Sequence, residues 1–193
     1  MINNDNLPIG EKQDLDALVH PIEVEFKTSW SDLLDAMDGG FRLKVAVRGR
    51  LAEHMFKKHL IGLCAAGVID EFSMPDKDDL PDAAVIVGDK TYQVEVKNVH
   101  PDLRTRNRAI VVEVQKTRGS KDHPETRQYL ISHFDVVVAC LFNVTGEWTF
   151  LFAASKDLAP HKTHPDRLAP IQLIPLPLDP DGIWRKSLAE VLR

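Results

Sequence analysis

Pro81-Asp82-Ala83-Ala84-Val85-Ile86-Val87-Gly88-Asp89-Lys90-Thr91-Tyr92-Gln93-Val94-Glu95-Val96-Lys97 is the stretch on which the reading of this chain turns. Val85–Val87 and Tyr92–Val96 are β-branched or aromatic runs, and Gly88-Asp89 between them is a two-residue hairpin signal. With that pair as the turn, Val87 faces Lys90, Val85 faces Tyr92 and Asp82 faces Glu95. Residues two apart on a strand share a face, so one face carries Asp82, Ala84, Ile86, Thr91, Gln93, Glu95 and Lys97. The other carries Ala83, Val85, Val87, Tyr92, Val94 and Val96, an apolar surface suited to a core. Directly opposed residues have Cβ atoms about 5 Å apart, and like charges so placed destabilise a sheet. The opposition of Asp82 and Glu95 therefore calls for a cation. A hard divalent ion such as Mg²⁺ fits, because it takes oxygen ligands and is commonly held by only one or two carboxylates. Lys97 would sit beside it. The competing reading is a solvated hairpin face with a surface Glu95–Lys97 pair, which contributes little.

This arrangement resembles the PD-(D/E)XK nuclease superfamily, the restriction-endonuclease-like fold. Pro81-Asp82 matches the first half of its pattern, and Glu95-Val96-Lys97, thirteen residues after the Asp, matches the second. The resemblance implies an α/β fold with a mixed central sheet flanked by helices and an αβββαβ core. It also implies metal-assisted phosphodiester hydrolysis, with Asp82, Glu95 and the backbone carbonyl of Val96 holding Mg²⁺, or Mn²⁺ in its place. Lys97 would orient water or stabilise charge on the phosphate.

The first core helix of the superfamily often carries a further acid, which makes Glu53 a candidate; a surface pair with Lys57 is the alternative. By the same resemblance Gln115, Lys116 and Arg118 are candidates of second rank. The expected activity is a DNA endonuclease like a type II restriction enzyme, acting on double-stranded DNA as a homodimer, since a palindromic duplex presents two equivalent strands. The alternatives are a repair or junction-resolving nuclease and a catalytically silent member that binds nucleic acid or a partner protein.

Charge is unevenly distributed. Residues 1–38 carry nine acids against Lys12 and Lys27, a balance of −7 within a total of −5, so the remainder stands at +2. In that remainder Arg42, Lys44, Arg48, Arg50, Lys57 and Lys58 face Glu53 alone. Arg104, Arg106 and Arg108 form a basic loop after the hairpin, followed by Lys116 and Arg118, all suited to phosphate contacts. An acidic total is thus compatible with nucleic-acid binding.

The 193 residues, 44% hydrophobic and 27% charged, suffice for one domain with a core. No apolar run approaches the about 20 residues of a membrane span, and the N-terminus lacks signal-peptide character, so the expected location is cytoplasmic without membrane contact. Cys64 and Cys140 lie in apolar contexts that suit reduced core thiols. His54 and His59 have no partners at metal-ligand spacing.

Three regions are expected: an acidic extension over 1–40, a nuclease core over 41–158 and a Pro-rich tail over 159–193 ending in a short helix. Within them, a short helix is expected around 14–20, and Ile22, Val24 and Phe26 alternate with charges as in an extended segment. Ser29 or Ser31 caps a helix that Gly39-Gly40 ends. A helix is expected from about 43 to 66, with Val47, Leu51 and Met55 on one stripe and Ala52, Phe56, Leu60 and Leu63 on another. Strands are expected over 68–73 and 109–116, a helix over 125–133, and a buried strand over 134–142 leading into a hairpin with 148–153. The tail from 159 to 183 reads as irregular because of its prolines.

Overall fold

The computed structural model describes residues 19–77, 80–102, 108–116 and 119–192. The short helix expected at 14–20 therefore falls largely outside the described residues. The chain forms two compact units that divide between Val47 and Arg48.

The first unit is helical. Helix α1 spans Pro21–Phe26, where alternation suggested an extended segment. Capping decides it: His20 N–H donates to Glu23 Oε2 at 2.9 Å, the His20 ring accepts from Ile22 N–H, and Pro21 supplies the preset φ of a first helical turn. Helix α2, Trp30–Gly39, is capped by Ser29, whose Oγ accepts from Asp32 N–H at 3.1 Å. Neither helix contains a buried residue. Helix α3 runs from Phe41 to Ala65 and ends at Gly67, whose φ of +67° a side-chain-bearing residue adopts only at a cost.

In the second unit the stripe Ala52, Phe56 and Leu60 of α3 is buried, while Leu51 of the other stripe is exposed. A five-stranded mixed sheet takes the order β1 (Glu71–Ser73), β2 (Ala83–Val87), β3 (Lys90–Asn98), β5 (Val136–Cys140), β6 (Phe150–Ala154). All its pairs are antiparallel except β3 with β5. The fold is mixed α/β, as expected. The hairpin register is the anticipated one, with Val87 opposite Lys90, Val85 opposite Tyr92 and Ala83 opposite Val94. Gly88 adopts φ +57° at the turn, and its N–H donates to Asp70 Oδ2 at 2.6 Å.

Each face of this sheet has its own apolar layer. Ala83, Val85, Val94 and Val96 pack with Phe56 and Leu60 of α3. On the opposite face, Val137 and Ala139 pack with Ile110, Val112 and Ile174. Those last three belong to a separate two-stranded sheet, β4 (Ala109–Glu113) antiparallel to β7 (Ile171–Pro175). The strand expected over 109–116 is thus shorter and pairs outside the central sheet. Its partner lies in the tail that prolines had suggested was irregular. Pro175 ends that strand and Pro170 precedes it, so neither interrupts the pairing.

The helix expected over 125–133 is absent. Two short 3₁₀ turns, Pro124–Arg127 and Ile131–His133, flank an extended stretch in which Gln128 bridges to Gln115 and Leu130 to Arg167. Backbone bonds made across to other segments leave no pattern for a continuous helix. A short helix α4, Phe142–Thr145, joins β5 to β6. In place of the short helix expected at the C-terminal end, the described residues form a 3₁₀ turn, Leu188–Glu190, and Trp184, Leu188 and Leu192 are buried.

Candidate active site

Asp82 stands immediately before β2, and continuing the register from Ala83–Val94 sets it opposite Glu95. Its Oδ2 accepts from Val96 N–H at 2.7 Å. Glu95 is only 5% exposed. This is no solvated hairpin face. Parallel pairing of β3 with β5 sets Glu95 beside Val137 and Lys97 beside Ala139, both fully buried, so the polar side of the hairpin enters an apolar layer.

A buried carboxylate needs partners, and Glu95 has them at one oxygen. Lys97 Nζ donates to Glu95 Oε1 at 2.6 Å, and Tyr129 Oη–H donates to the same oxygen at 2.5 Å. Lys97 Nζ also lies 3.2 Å from Tyr129 Oη and 5.2 Å from the centroid of its ring. Glu95 Oε2 and Asp82 Oδ1 accept no hydrogen bond from the described residues.

Electrostatics bind the group together. Burial, followed by the charge of Glu95, pushes the Asp82 carboxyl up to about 7; the Val96 N–H and Lys97 act against this. For Lys97, burial favours the neutral amine, yet Glu95, Tyr129 and Asp82 together hold it above the ordinary lysine range. Burial raises the Tyr129 hydroxyl, so it remains a proton donor. Glu53 is half-buried on α3 and is raised chiefly by burial, with Arg50 and Lys97 opposing. Its Oε2 accepts from Arg50 Nη1 at 2.6 Å, not from Lys57 as a surface pair would have it, and its field reaches Asp82.

Two carboxylates that repel, each with one oxygen that takes no hydrogen bond from the described residues, form a donor set that fits Mg²⁺ or Mn²⁺. Among the described residues no three side chains of His, Cys, Asp or Glu form a metal cage. Glu53 therefore borders the pair without completing a triad of ligands.

The remaining expected residues separate. Gln115 bridges to Gln128 through the backbone, and its side chain makes no hydrogen bond to Asp82, Glu95 or Lys97. Lys116 Nζ lies 5.8 Å from the Tyr129 ring centroid, on the border of the site. Arg108 is exposed at the start of β4 with φ +44°. Arg104, Arg106 and Arg118 lie outside the described residues. His59 stacks on Phe56 and Phe152, and burial lowers its pKa. Cys64 and Cys140 are free thiols. Tyr129 is the residue that sequence reasoning misplaced. It falls within the helix expected over 125–133, and its signal was a rare tyrosine in a polar stretch.

No protein-family model and no curated protein matches this chain. Among solved structures it is similar to the bacterial homing endonuclease I-Ssp6803I, with 19% identity over 75% of this chain and 85% of that one, and a TM-score of 0.45. Likeness at that level carries no argument about function, which rests on the geometry of the site. No helix among the described residues is long and apolar enough to cross a membrane.

Proposed function

We propose that this chain is a metal-dependent nuclease of the PD-(D/E)XK kind that hydrolyses phosphodiester bonds in double-stranded DNA and acts as a homodimer. The observation that carries the reading is the opposition of Asp82 and Glu95, each with one oxygen that takes no hydrogen bond from the described residues, beside an ammonium anchored on Glu95.

Asp82 Oδ1 and Glu95 Oε2, with the Val96 carbonyl, are the groups that would hold Mg²⁺. When bound, that ion supplies the positive charge that polarises a phosphate and acidifies water. The chain's own residues do the rest. Lys97, held above the ordinary lysine range, is charged in the metal-free site. It acts as a fixed positive charge toward oxygens on which negative charge develops. Tyr129 shares Glu95 Oε1 with Lys97 and leaves the other oxygen without a hydrogen bond from the described residues. The Val96 N–H fixes Asp82 in the same way through Oδ2.

The test is plasmid cleavage in the presence of Mg²⁺ by wild type, Asp82→Ala and Lys97→Ala, with circular dichroism to confirm folding. Loss of one preorganised charge at such a site costs about 10²–10³-fold in rate, and this is the expected effect of each substitution. Undiminished cleavage by either folded variant rejects the assignment.

A further inference from the structure

Three basic side chains lie near Tyr129, and the charges of two of them, Lys116 and Arg167, act on the third, His133. Lys116 Nζ is 5.8 Å from the ring centroid, and the His133 ring meets the Tyr129 ring edge-on with centroids 5.9 Å apart. Arg167 pairs through its backbone with Leu130, and its Nη1 donates to Gln128 O at 2.7 Å, so it brackets Tyr129 in sequence on both sides. Among the described residues, none of the three has a carboxylate within 4.0 Å. Glu95, the acid whose field reaches His133, is already engaged by Lys97 and Tyr129. Lys116, His133 and Arg167 are all partly exposed.

Two cations whose charges act on one imidazole repel, and among the described residues no carboxylate pairs with either of them. An arriving anion would. The same Tyr129 that contacts Lys116 and His133 is bonded to Glu95, so the gathered cations border the acid pair. Burial, with the charges of Lys116 and Arg167, holds His133 below its ordinary range and leaves it a neutral donor.

We propose that Lys116 and Arg167, together with His133, form a phosphate subsite that grips the nucleic-acid backbone next to the Asp82–Glu95 pair. This deepens the nuclease reading and rests on it for the identity of the anion as a phosphodiester. Of the three, only Lys116 stood out in the sequence; Arg167 and His133 reach it from segments distant in the chain.

The experiment measures binding of a fluorescent DNA duplex by anisotropy in EDTA across a salt series, so that cleavage does not enter. Each phosphate contact contributes a slope of about 0.9 in log Kd against log salt. Lys116→Gln and Arg167→Gln are each expected to weaken binding several-fold and to lower the slope by about 1. Arg167→Lys, which keeps the charge if the Gln variant fails to fold, is expected to hold the slope. Lys90→Gln, at the exposed hairpin turn, is expected to leave affinity and slope unchanged.

Unchanged slopes in folded Lys116→Gln and Arg167→Gln overturn the subsite, as does an equal loss in Lys90→Gln or the absence of duplex binding by wild type. A wild type that binds with these slopes yet cleaves nothing in Mg²⁺ or Mn²⁺ removes the nuclease reading and leaves the subsite standing.

Discussion

On one face of β3, Val94 and Val96 meet Phe56 and Leu60; on the other, Glu95 is equally withdrawn from water but lies under Lys97 and Tyr129. The first face is held by apolar burial, which needs no direction and tolerates volume-conserving change. The second is held by charge and hydrogen bonds, which work only while every partner is present. A strand that alternates every residue can serve both, so the acid pair is mounted on the back of a core wall. Its rigidity comes from the valines and its chemistry from the residues between them.

That contrast can be broken from either side. The largest expected effect is on the apolar face: Phe56→Ala removes a fully buried ring that touches Phe150 and Phe152, and should cost about 4 kcal/mol in denaturant unfolding. A loss under about 1 kcal/mol would mean that α3 does not seal this face.

Next comes Lys97→Met, which strands Glu95 in an apolar layer. About 3 kcal/mol should be lost, and Glu95→Gln/Lys97→Met should regain most of it in a double-mutant cycle. If the double variant is no more stable than the single one, the two faces are held by the same means after all.

The third effect concerns pH. The folded Asp82 carboxyl is pushed up to about 7, above its unfolded value, so the folded state binds the proton more tightly. Its contribution to stability is fully present below the unfolded value near 3.8 and is lost as pH rises through about 7. Metal-free wild type should therefore lose stability relative to Asp82→Asn between those limits, and Mg²⁺ should suppress the loss. Parallel pH profiles of the two proteins in EDTA would show that Asp82 is not pressed against Glu95.

The smallest effect is that of Tyr129→Phe, which deletes one hydrogen bond to a charged oxygen and should cost about 1–2 kcal/mol while Lys97 keeps its hold on Glu95. A measured change near zero would assign the whole polar face to the ion pair.

Much of this was legible in the chain because the relevant rules are local. The Gly88-Asp89 turn set the register, alternation assigned Val94 and Val96 to one side and Glu95 and Lys97 to the other, and the stripe Ala52, Phe56 and Leu60 marked the buried side of α3. Local rules also misled. Alternation over Ile22–Phe26 concealed a helix set by the His20–Glu23 cap, and the apparent helix at 125–133 proved extended because its backbone is claimed by Gln115 and Arg167. Those partners lie outside any window in which periodicity is read.

By itself the amino-acid order determined the hairpin, its facing acids and the lysine beside them, since a two-residue turn and a period of two leave one arrangement open. Only the tertiary structure decided that the polar face would be buried, that Tyr129 would close over Glu95, and that Lys116 and His133 would meet the Tyr129 ring. Those contacts depend on β3 lying parallel to β5 and on β4 finding β7 across a long separation in the chain. Burial is a property of what covers a face, and for Glu95 the cover is assembled from segments that no neighbouring residue specifies.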